Sequence, residues 1–193
     1  MPLPERLCTN KGGAGTKVTV RPHERAGLSK VPDRARGGVG RGPVRQLLTA
    51  NLDHDFNIGS IVRTANAMGA CRVHVVGRKR WNRRGAMVTD RYLPVDHRPE
   101  VRELLEHCSK EGLTLVGVDN VEGSVALEGA VLPERACLVF GSEASGLSEE
   151  MIRACDIVVA ITQRGSTRSM NVGHAAAIVM WAHASRLDAA EDS

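Results

Sequence analysis

From residue 45 onward, short apolar runs alternate with stretches of helical periodicity, and this alternation restricts the fold more than any other feature of the sequence. The predicted strands are "RQLLTAN", "CRVHVVG", "LTLVGV", "ACLVFG" and "DIVVAI", and the predicted helices lie near residues 57–69, 99–111, 147–154 and 171–187. Several of the strands are apolar throughout, as strands of a buried parallel sheet are. The pattern predicts an α/β fold with a mostly parallel sheet and helices on both faces.

The first 44 residues differ in character from the rest of the chain. They are rich in Gly, Pro and Arg and show no periodicity, so we predict a flexible arm over residues 1–44 and one domain over residues 45–193. Residues 1–45 contain ten Lys and Arg against three Asp and Glu, whereas the remainder is slightly acidic. A basic arm is typical of a segment that binds a polyanion, although a solubilising tail would have the same composition.

Cysteine usage and hydropathy indicate the compartment. The five cysteines are scattered, with neither a CxxC pair nor the spacing of metal ligands, which is typical of buried thiols in a reducing cytosol. No apolar run reaches the roughly 18 residues of a membrane span, and the first residues lack the apolar centre of a signal peptide. We therefore expect a cytoplasmic protein that uses neither a membrane nor a metal.

The first candidate loop, "NLDHDFNIGSIVRTANAMGA", follows the first predicted strand, where parallel sheets bind their ligands. Its apolar residues recur at helical spacing and leave Arg63 on another side of the helix. Asn57 is expected to cap this helix, and Gly59 would let a ligand or a second backbone approach closely. A surface arginine beside an ordinary helix cap would give the same pattern.

The second candidate loop, "GSEASGLSEE", follows a buried strand that ends at Gly141. Gly146 closes a turn that contains Glu143, and Ser148 is expected to cap the next helix. The Gly-x-Ser-x-Gly pattern of a nucleophile elbow is absent, so serine hydrolase chemistry is not indicated. Glu143 could equally be a carboxylate that only braces the loop.

The third candidate loop, "TQRGSTRSMNVGHAAAIVM", leads into a helix with small and apolar residues on every side. Ser169 and Asn171 are expected to cap that helix. Small residues all round indicate that neighbouring backbone packs tightly against it. A core helix with a capping loop would also explain the pattern.

Together and in this order, "NIGSIVRTANAMGA", "VFGSEASGLS" and "ITQRGSTRSMNVGHAAAI" resemble the three motifs of the SpoU/TrmH branch of the SPOUT RNA methyltransferases, over about residues 45–187. The resemblance implies a C-terminal trefoil knot, a homodimer, S-adenosylmethionine as cofactor and RNA as partner. The implied reaction is transfer of the cofactor's methyl group to a ribose 2′-hydroxyl, without a metal.

The resemblance also implies roles for individual positions. The implied catalytic residues are Arg63, Asn57, Glu143, Ser169 and Asn171. The implied cofactor-binding residues are Gly141, Ile161, Met170, Glu143, Gly146 and Asn171. Met170 replaces the leucine that is usual in the family, and Gly173 replaces the usual serine.

The stretch "QRGSTRSMNV" resembles most closely the members that methylate a guanosine in the tRNA D-loop, so tRNA is favoured over ribosomal RNA, the substrate of other members including some that confer antibiotic resistance. The expected RNA-binding residues are Arg63, Arg168, Arg80, Arg83 and Arg84, with Trp81 able to stack on a base. A solvated charged loop is the alternative for "GRKRWNRRG". A noncatalytic RNA-binding module and an unrelated nucleotide-binding α/β enzyme are the alternative functions, and the latter lacks its expected Gly-x-Gly-x-x-Gly.

Overall fold

The computed structural model describes residues 45–50, 55–77, 79–142, 144–166 and 169–191. The predicted arm over residues 1–44 lies outside the described residues. All elements given below belong to one compact unit of the chain.

The described residues form seven strands, four helices and two short 3-10 helices. The strands are β1 (Arg45–Ala50), β2 (Arg72–Val76), β3 (Val95–Arg98), β4 (Thr114–Val118), β5 (Val125–Ala126), β6 (Ala136–Phe140) and β7 (Ile157–Ala160). The α-helices are α1 (Asp55–Ala67), α2 (Val101–Glu111), α3 (Glu149–Ala154) and α4 (Val172–Glu191). The 3-10 helices are Arg83–Ala86 and Thr89–Arg91.

The strands form one sheet in the order β3-β2-β1-β6-β4-β7-β5, and every pair of neighbouring strands is parallel. The five predicted strands and four predicted helices are confirmed. The additional strands β3 and β5 lie at the two edges of the sheet. β3 has the polar sequence VDHR and β5 has only two residues, so neither carries an apolar run that a sequence pattern could reveal.

Helices cover both faces of the sheet, as predicted. Alternate residues of β6 enter two separate hydrophobic clusters: Leu138 packs in the cluster that contains residues of α1 and α4, and Val139 in the one that contains residues of α2 and α3. In register, Leu138 lies between Leu47 of β1 and Val116 of β4. The sheet is therefore the middle layer of three.

The order of the central strands departs from the order of the chain. β6 lies between β1 and β4, and β7 lies between β4 and β5. Both of these late strands are thus inserted between strands that precede them in sequence. The insertion brings the ends of β6 and β7 to either side of the end of β4.

Helix α4 is bound to the segment that follows β5 by two of its side chains. The Arg186 guanidinium donates to the carbonyl oxygens of Leu127 and Ala130 over 2.8 Å each. The buried His183 ring donates from Nε2 to the carbonyl oxygen of Pro133 over 2.7 Å. These contacts give main-chain carbonyls of an irregular segment the partners that they need.

His74 of β2 is fully buried where α2 crosses the strand. Its ring meets that of His107 edge to face, with 4.9 Å between the ring centroids, and its Nδ1 lies 4.0 Å from Asp96 Oδ2. Burial, followed by the positive charges of His107 and Arg98, lowers the pKa of His74 to about 4, although Asp96 acts in the opposite direction. His74 is consequently neutral in the folded protein at physiological pH.

We predict that folding stability declines on acidification because of His74. An unfolded histidine binds its proton near pH 6.5, whereas folded His74 binds one only near pH 4, so protonation favours the unfolded chain between these values. The free energy of unfolding contributed by this group is complete above pH 6.5 and falls by up to about 3 kcal/mol as the pH approaches 4.

The measurement is urea unfolding of wild type and of His74→Phe, which keeps a ring against His107, at several values between pH 7 and pH 4.5. The variant should lose a large part of the slope of unfolding free energy against pH. His174→Asn, which removes an exposed histidine, should keep the slope. Parallel curves for wild type and His74→Phe would contradict the prediction.

Candidate active site at the carboxyl edge of the sheet

The three loops singled out in the sequence emerge from the same edge of the sheet. They follow β1, β6 and β7, which are parallel, and the end of β4 lies between those of β6 and β7. Carboxyl ends of parallel strands are where such sheets bind ligands. Each of the three loops follows the carboxyl end of a strand, as predicted.

A hydrogen bond between two asparagine side chains connects the first loop with the third. Asn171 Nδ2 donates to Asn57 Oδ1 over 3.0 Å. At the same time Asn171 Oδ1 accepts from the backbone N–H groups of Gly173 at 2.8 Å and His174 at 3.3 Å, so Asn171 caps α4 as predicted. Because the carbonyl end of the Asn171 amide is used by the cap, its amino end necessarily faces Asn57.

The capping function predicted for Asn57 is wrong. Helix α1 begins at Asp55, so Asn57 lies within its first turn. Its side chain is buried at 8% exposure and reaches across to α4. Ser60 Oγ closes the same turn by donating to the Asn57 carbonyl oxygen over 3.0 Å.

Gly173, where the family usually has serine, permits the two helix starts to approach each other. A β-carbon at this position would lie 2.7 Å from Ser60 Oγ and 3.0 Å from Asn171 Oδ1. Both distances are shorter than normal contacts, so a side chain here would require the Ser60 hydroxyl and the Asn171 amide to move. The absence of a side chain at Gly173 therefore leaves the Asn57–Asn171 contact and the Ser60 hydroxyl undisturbed.

Arg63 projects from α1 into solvent, on the side away from the buried stripe. Of the predicted stripe, Ile58, Ile61, Val62 and Ala65 are buried, whereas Met68 is half-buried just beyond the end of α1. Arg63 is exposed and lies six residues beyond Asn57, about 9 Å along the helix axis. The Arg63 side chain is thus accessible from solvent.

The second loop is a tight turn that requires glycine at positions 141 and 146. Ser142 and Gly146 exchange two backbone hydrogen bonds, of 3.1 and 2.9 Å, and Gly146 has a left-handed φ of 67°. A β-carbon on Gly141 would lie 2.1 Å from the Gly146 carbonyl carbon. The turn therefore folds back directly onto the end of β6. Ser148 caps α3, as predicted, by accepting from the Met151 N–H over 3.2 Å.

Asp119, at the end of β4, holds this turn from the opposite side. Its Oδ2 accepts from the Leu147 N–H and its Oδ1 from the Asn120 N–H, both over 2.7 Å. A β-carbon on Gly146 would lie 2.3 Å from Asp119 Oδ2, so the carboxylate packs directly on the glycine. The sequence analysis did not identify Asp119. The one indication in the sequence was its position, as an acidic residue directly after the apolar strand "LTLVGV".

The third loop presents its side chains at the surface. Ile161 is half-buried at the end of β7, whereas Ser169 and Met170 are exposed just before α4. Ser169 precedes the cap residue by two positions, so of the two predicted caps Asn171 is the one in the capping position. The remaining predicted site residues of these loops, Glu143 and Arg168, lie outside the described residues.

A basic segment follows β2 and packs on α1. Arg80, Arg83 and Arg84 are exposed, whereas Trp81 is half-buried against the core. The Arg83 guanidinium lies 5.8 Å from the Trp81 ring centroid and forms an ion pair with Asp90 at 3.2 Å. The prediction that Gly59 admits a second backbone is confirmed, because a β-carbon on Gly59 would lie 2.7 Å from Gly85 Cα.

No group of three or more His, Cys, Asp or Glu residues in the described parts of the chain could hold a metal ion. Among the helices described, none has the length and apolarity to span a membrane.

Comparison with known proteins identifies relatives of this fold. The sequence model of the SpoU rRNA Methylase family matches residues 45–181. A mouse protein named tRNA (guanosine(18)-2′-O)-methyltransferase TARBP1 is 32% identical over 77% of the chain and 10% of its own length. A Borreliella burgdorferi protein named tRNA (guanosine(18)-2′-O)-methyltransferase is 28% identical over 68% of the chain and 62% of its own length.

Solved structures agree with the sequence comparison. The SpoU methyltransferase AviRb from Streptomyces viridochromogenes superposes with a TM-score of 0.72 at 25% identity, over 78% of this chain and 62% of that one. The A. aeolicus TrmH/SpoU tRNA modifying enzyme has the same fold, with a TM-score of 0.72 at 21% identity, over 78% of this chain and 79% of that one.

The chain spans less than two thirds of the length of the mouse and Borreliella relatives. The family match itself covers most of the chain, including all three loops and the Asn57–Asn171 contact. The chain therefore belongs to the SpoU rRNA methylase family.

Proposed function

We propose that this protein transfers the methyl group of S-adenosylmethionine to a ribose 2′-hydroxyl of a structured RNA. The observation that carries the proposal is the Asn171–Asn57 hydrogen bond, which fixes the third loop against the helix that presents Arg63. Support comes from family membership and from relatives whose names state tRNA 2′-O-methylation. A SpoU relative, AviRb, has been solved in complex with AdoMet.

In this proposal the loops after β6 and β7 hold the cofactor. The turn between Gly141 and Gly146 stands at the end of β6, and the exposed hydroxyl groups of Ser142 and Ser145 offer hydrogen bonds there. Ile161 and Met170 offer apolar surface in the third loop, and among the described residues no atom beyond the adjacent residues lies within 4 Å of a β-carbon on Gly165. We assign Gly141, Gly146, Ile161, Met170, Asn171 and Glu143 to cofactor binding. When bound, the cofactor supplies an electrophilic methyl carbon on a positively charged sulfur.

The main roles of this chain's residues would be to position the ribose and to stabilise the charge that develops on its 2′-oxygen. Arg63 would hold a phosphate of the RNA and stabilise the alkoxide that develops on the 2′-oxygen. A guanidinium is a poor proton acceptor near neutral pH, which argues against Arg63 as the base. Asn57 and Asn171 position the two loops, and Ser169 and Glu143 complete the proposed set.

We propose tRNA as the substrate, with a guanosine of the D-loop as the target nucleotide. The names of the mouse and Borreliella relatives, which state methylation of guanosine 18 of tRNA, support this choice. A structural relative described as an AdoMet-bound rRNA methyltransferase, from Sinorhizobium meliloti, shows the same fold at 22% identity. Ribosomal RNA is therefore the second candidate substrate.

We assign RNA phosphate contacts to Arg80, Arg83, Arg84 and Arg168, and to the basic arm over residues 1–44. The described arginines of this set are exposed beside α1. Phosphate contacts position a nucleic acid without reading its sequence, so these residues would contribute affinity rather than choice of nucleotide.

Buried Cys108 and Cys137 are free thiols, which suits a reducing compartment such as the cytoplasm.

We further infer that the chain is knotted and forms a homodimer through α4. The insertion of β6 and β7 between earlier strands supports a knotted C-terminal part. Ile178 and Trp181 lie three residues apart on α4, and Trp181 is 61% exposed. An indole exposed to this degree on a mostly apolar helix favours a partner surface of the same kind.

Arg63→Ala should lower methyl transfer to RNA at least about a hundredfold, because a charge that stabilises the transition state is removed. The measurement is transfer from labelled S-adenosylmethionine to purified tRNA and, separately, ribosomal RNA, with the 2′-O-methyl group mapped by resistance to alkaline cleavage. Cofactor affinity, measured by calorimetry, should stay unchanged. Arg63→Lys, which keeps the charge but not the planar donors, should retain part of the activity.

Each alternative gives a distinct result. Label on ribosomal RNA alone would move the substrate to the second candidate. Cofactor binding without label on either RNA would indicate a noncatalytic module. Equal loss of cofactor binding and activity in Arg63→Ala would show that Arg63 acts through the structure of the site.

The contact between Asn57 and Asn171 should appear as a coupling free energy. A double-mutant cycle with Asn57→Ala and Asn171→Ala should give about 1 kcal/mol of coupling in the free energy of unfolding. Asn171→Asp separates the two functions of Asn171, because aspartate still caps α4 but cannot donate to Asn57. Strict additivity of the two alanine substitutions would show that the contact does not stabilise the protein.

Trp181→Glu should dissociate the proposed dimer, since a charge would then be buried at the interface. Sedimentation velocity should show monomers for this variant and dimers for wild type. Val131→Glu, at a position that is 89% exposed, is the matched control and should leave the dimer intact. A monomeric wild type, or a dimeric Trp181→Glu, would exclude α4 as the interface.

A further inference from the structure

Two adjacent residues between the 3-10 helices have an unfavourable backbone conformation. Met87 has φ of 48° and Val88 has φ of 69°, the left-handed region that favours glycine. Within the described residues they are the only non-glycine residues with positive φ. A β-branched residue in this region is an outlier, and such outliers persist where the surrounding structure imposes them.

Closely packed and buried residues on both sides of the turn hold its backbone in this conformation. On one side Gly85 packs against the backbone of Gly59 in α1, and Ala86 is fully buried. On the other side Leu93 is buried at 3% exposure. The Thr89 hydroxyl donates to the Ala86 carbonyl oxygen between these residues. The chain from residue 86 to residue 93 therefore has little freedom to relax.

The strained turn presents large apolar side chains to solvent. Met87, Val88 and Tyr92 are 63%, 51% and 75% exposed. Phe56, in the first turn of α1, is 66% exposed, and its carbonyl oxygen would lie 3.3 Å from a β-carbon on Gly85. Four large apolar side chains are therefore exposed on and beside one short segment. Such a cluster differs from the single, scattered apolar side chains that are normal on a protein surface.

The charge around these side chains identifies the kind of ligand. Arg84 and Arg91 are exposed within the same segment, and Arg83 is there too, paired with Asp90. The segment packs on α1, the helix that carries Arg63. Exposed apolar and aromatic side chains flanked by guanidinium groups are how proteins hold unstacked bases of single-stranded or looped RNA, with the phosphates on the cations.

We propose that the segment from Arg83 to Tyr92, with its strained turn at Met87 and Val88, is a platform for a nucleobase of the substrate RNA. The proposal rests on the proposed function, since it takes RNA as the partner. The platform holds a base next to the target nucleotide out of its stack, and the arginines bind the adjoining phosphates. The strain is retained because it directs Met87 and Val88 outward.

Val88→Gly tests the proposal, because glycine relieves the strain and removes the apolar contact together. The unfolding midpoint should rise by a few degrees. Affinity for a tRNA transcript, measured by filter binding, should fall about five- to tenfold, whereas affinity for S-adenosylmethionine should not change. Val131→Gly, which removes another exposed valine, is the matched control for affinity.

Salt dependence separates the base contact from the phosphate contacts. Val88→Gly should leave the slope of log affinity against log salt unchanged, whereas Arg84→Gln should reduce it by about 0.7 to 0.9. Unchanged RNA affinity in Val88→Gly would overturn the platform alone. A wild type that binds S-adenosylmethionine but no RNA would overturn the proposed function and the platform with it.

Discussion

Asn171 uses its whole side-chain amide to connect two helices. The carbonyl end accepts two N–H groups at the start of α4, and the amino end donates to Asn57 in the first turn of α1. Aspartate could replace only the carbonyl end, as a helix cap, since it has no amino group to donate to Asn57. One residue thus sets both where α4 begins and how far it lies from the helix that carries Arg63.

Much of the architecture could be predicted because it depends on local patterns. Apolar runs such as "ACLVFG" revealed the central strands, and the spacing of Ile58, Ile61 and Val62 revealed the buried side of α1. Cap residues were only partly predictable. Ser148 and Asn171 cap helices as expected, but α1 begins before Asn57, whose side chain accepts a hydrogen bond from Asn171 instead of capping α1.

Other features arise from contacts between distant parts of the chain. Asp119 has no motif around it, and it acquires a function only because β6 and β7 flank β4 and bring the turn at Gly146 onto its carboxylate. The left-handed turn at Met87 and Val88 contradicts the preference of both residues. It follows from Gly85 packing on Gly59, a contact between two helices that no local pattern encodes.

The inserted strands have a consequence for the synthesis of this protein. The facing edges of β4 and β5 both precede β7 in the chain, so their N–H and C=O groups on that side have no strand partner until Ile157–Ala160 has been translated. Pairings between distant segments form slowly, and unpaired edges invite association with other chains. The nascent chain must therefore have emerged from the ribosome almost as far as Ala160 before the sheet can form completely. Yield of folded protein is then governed by how well this open edge is protected while translation proceeds.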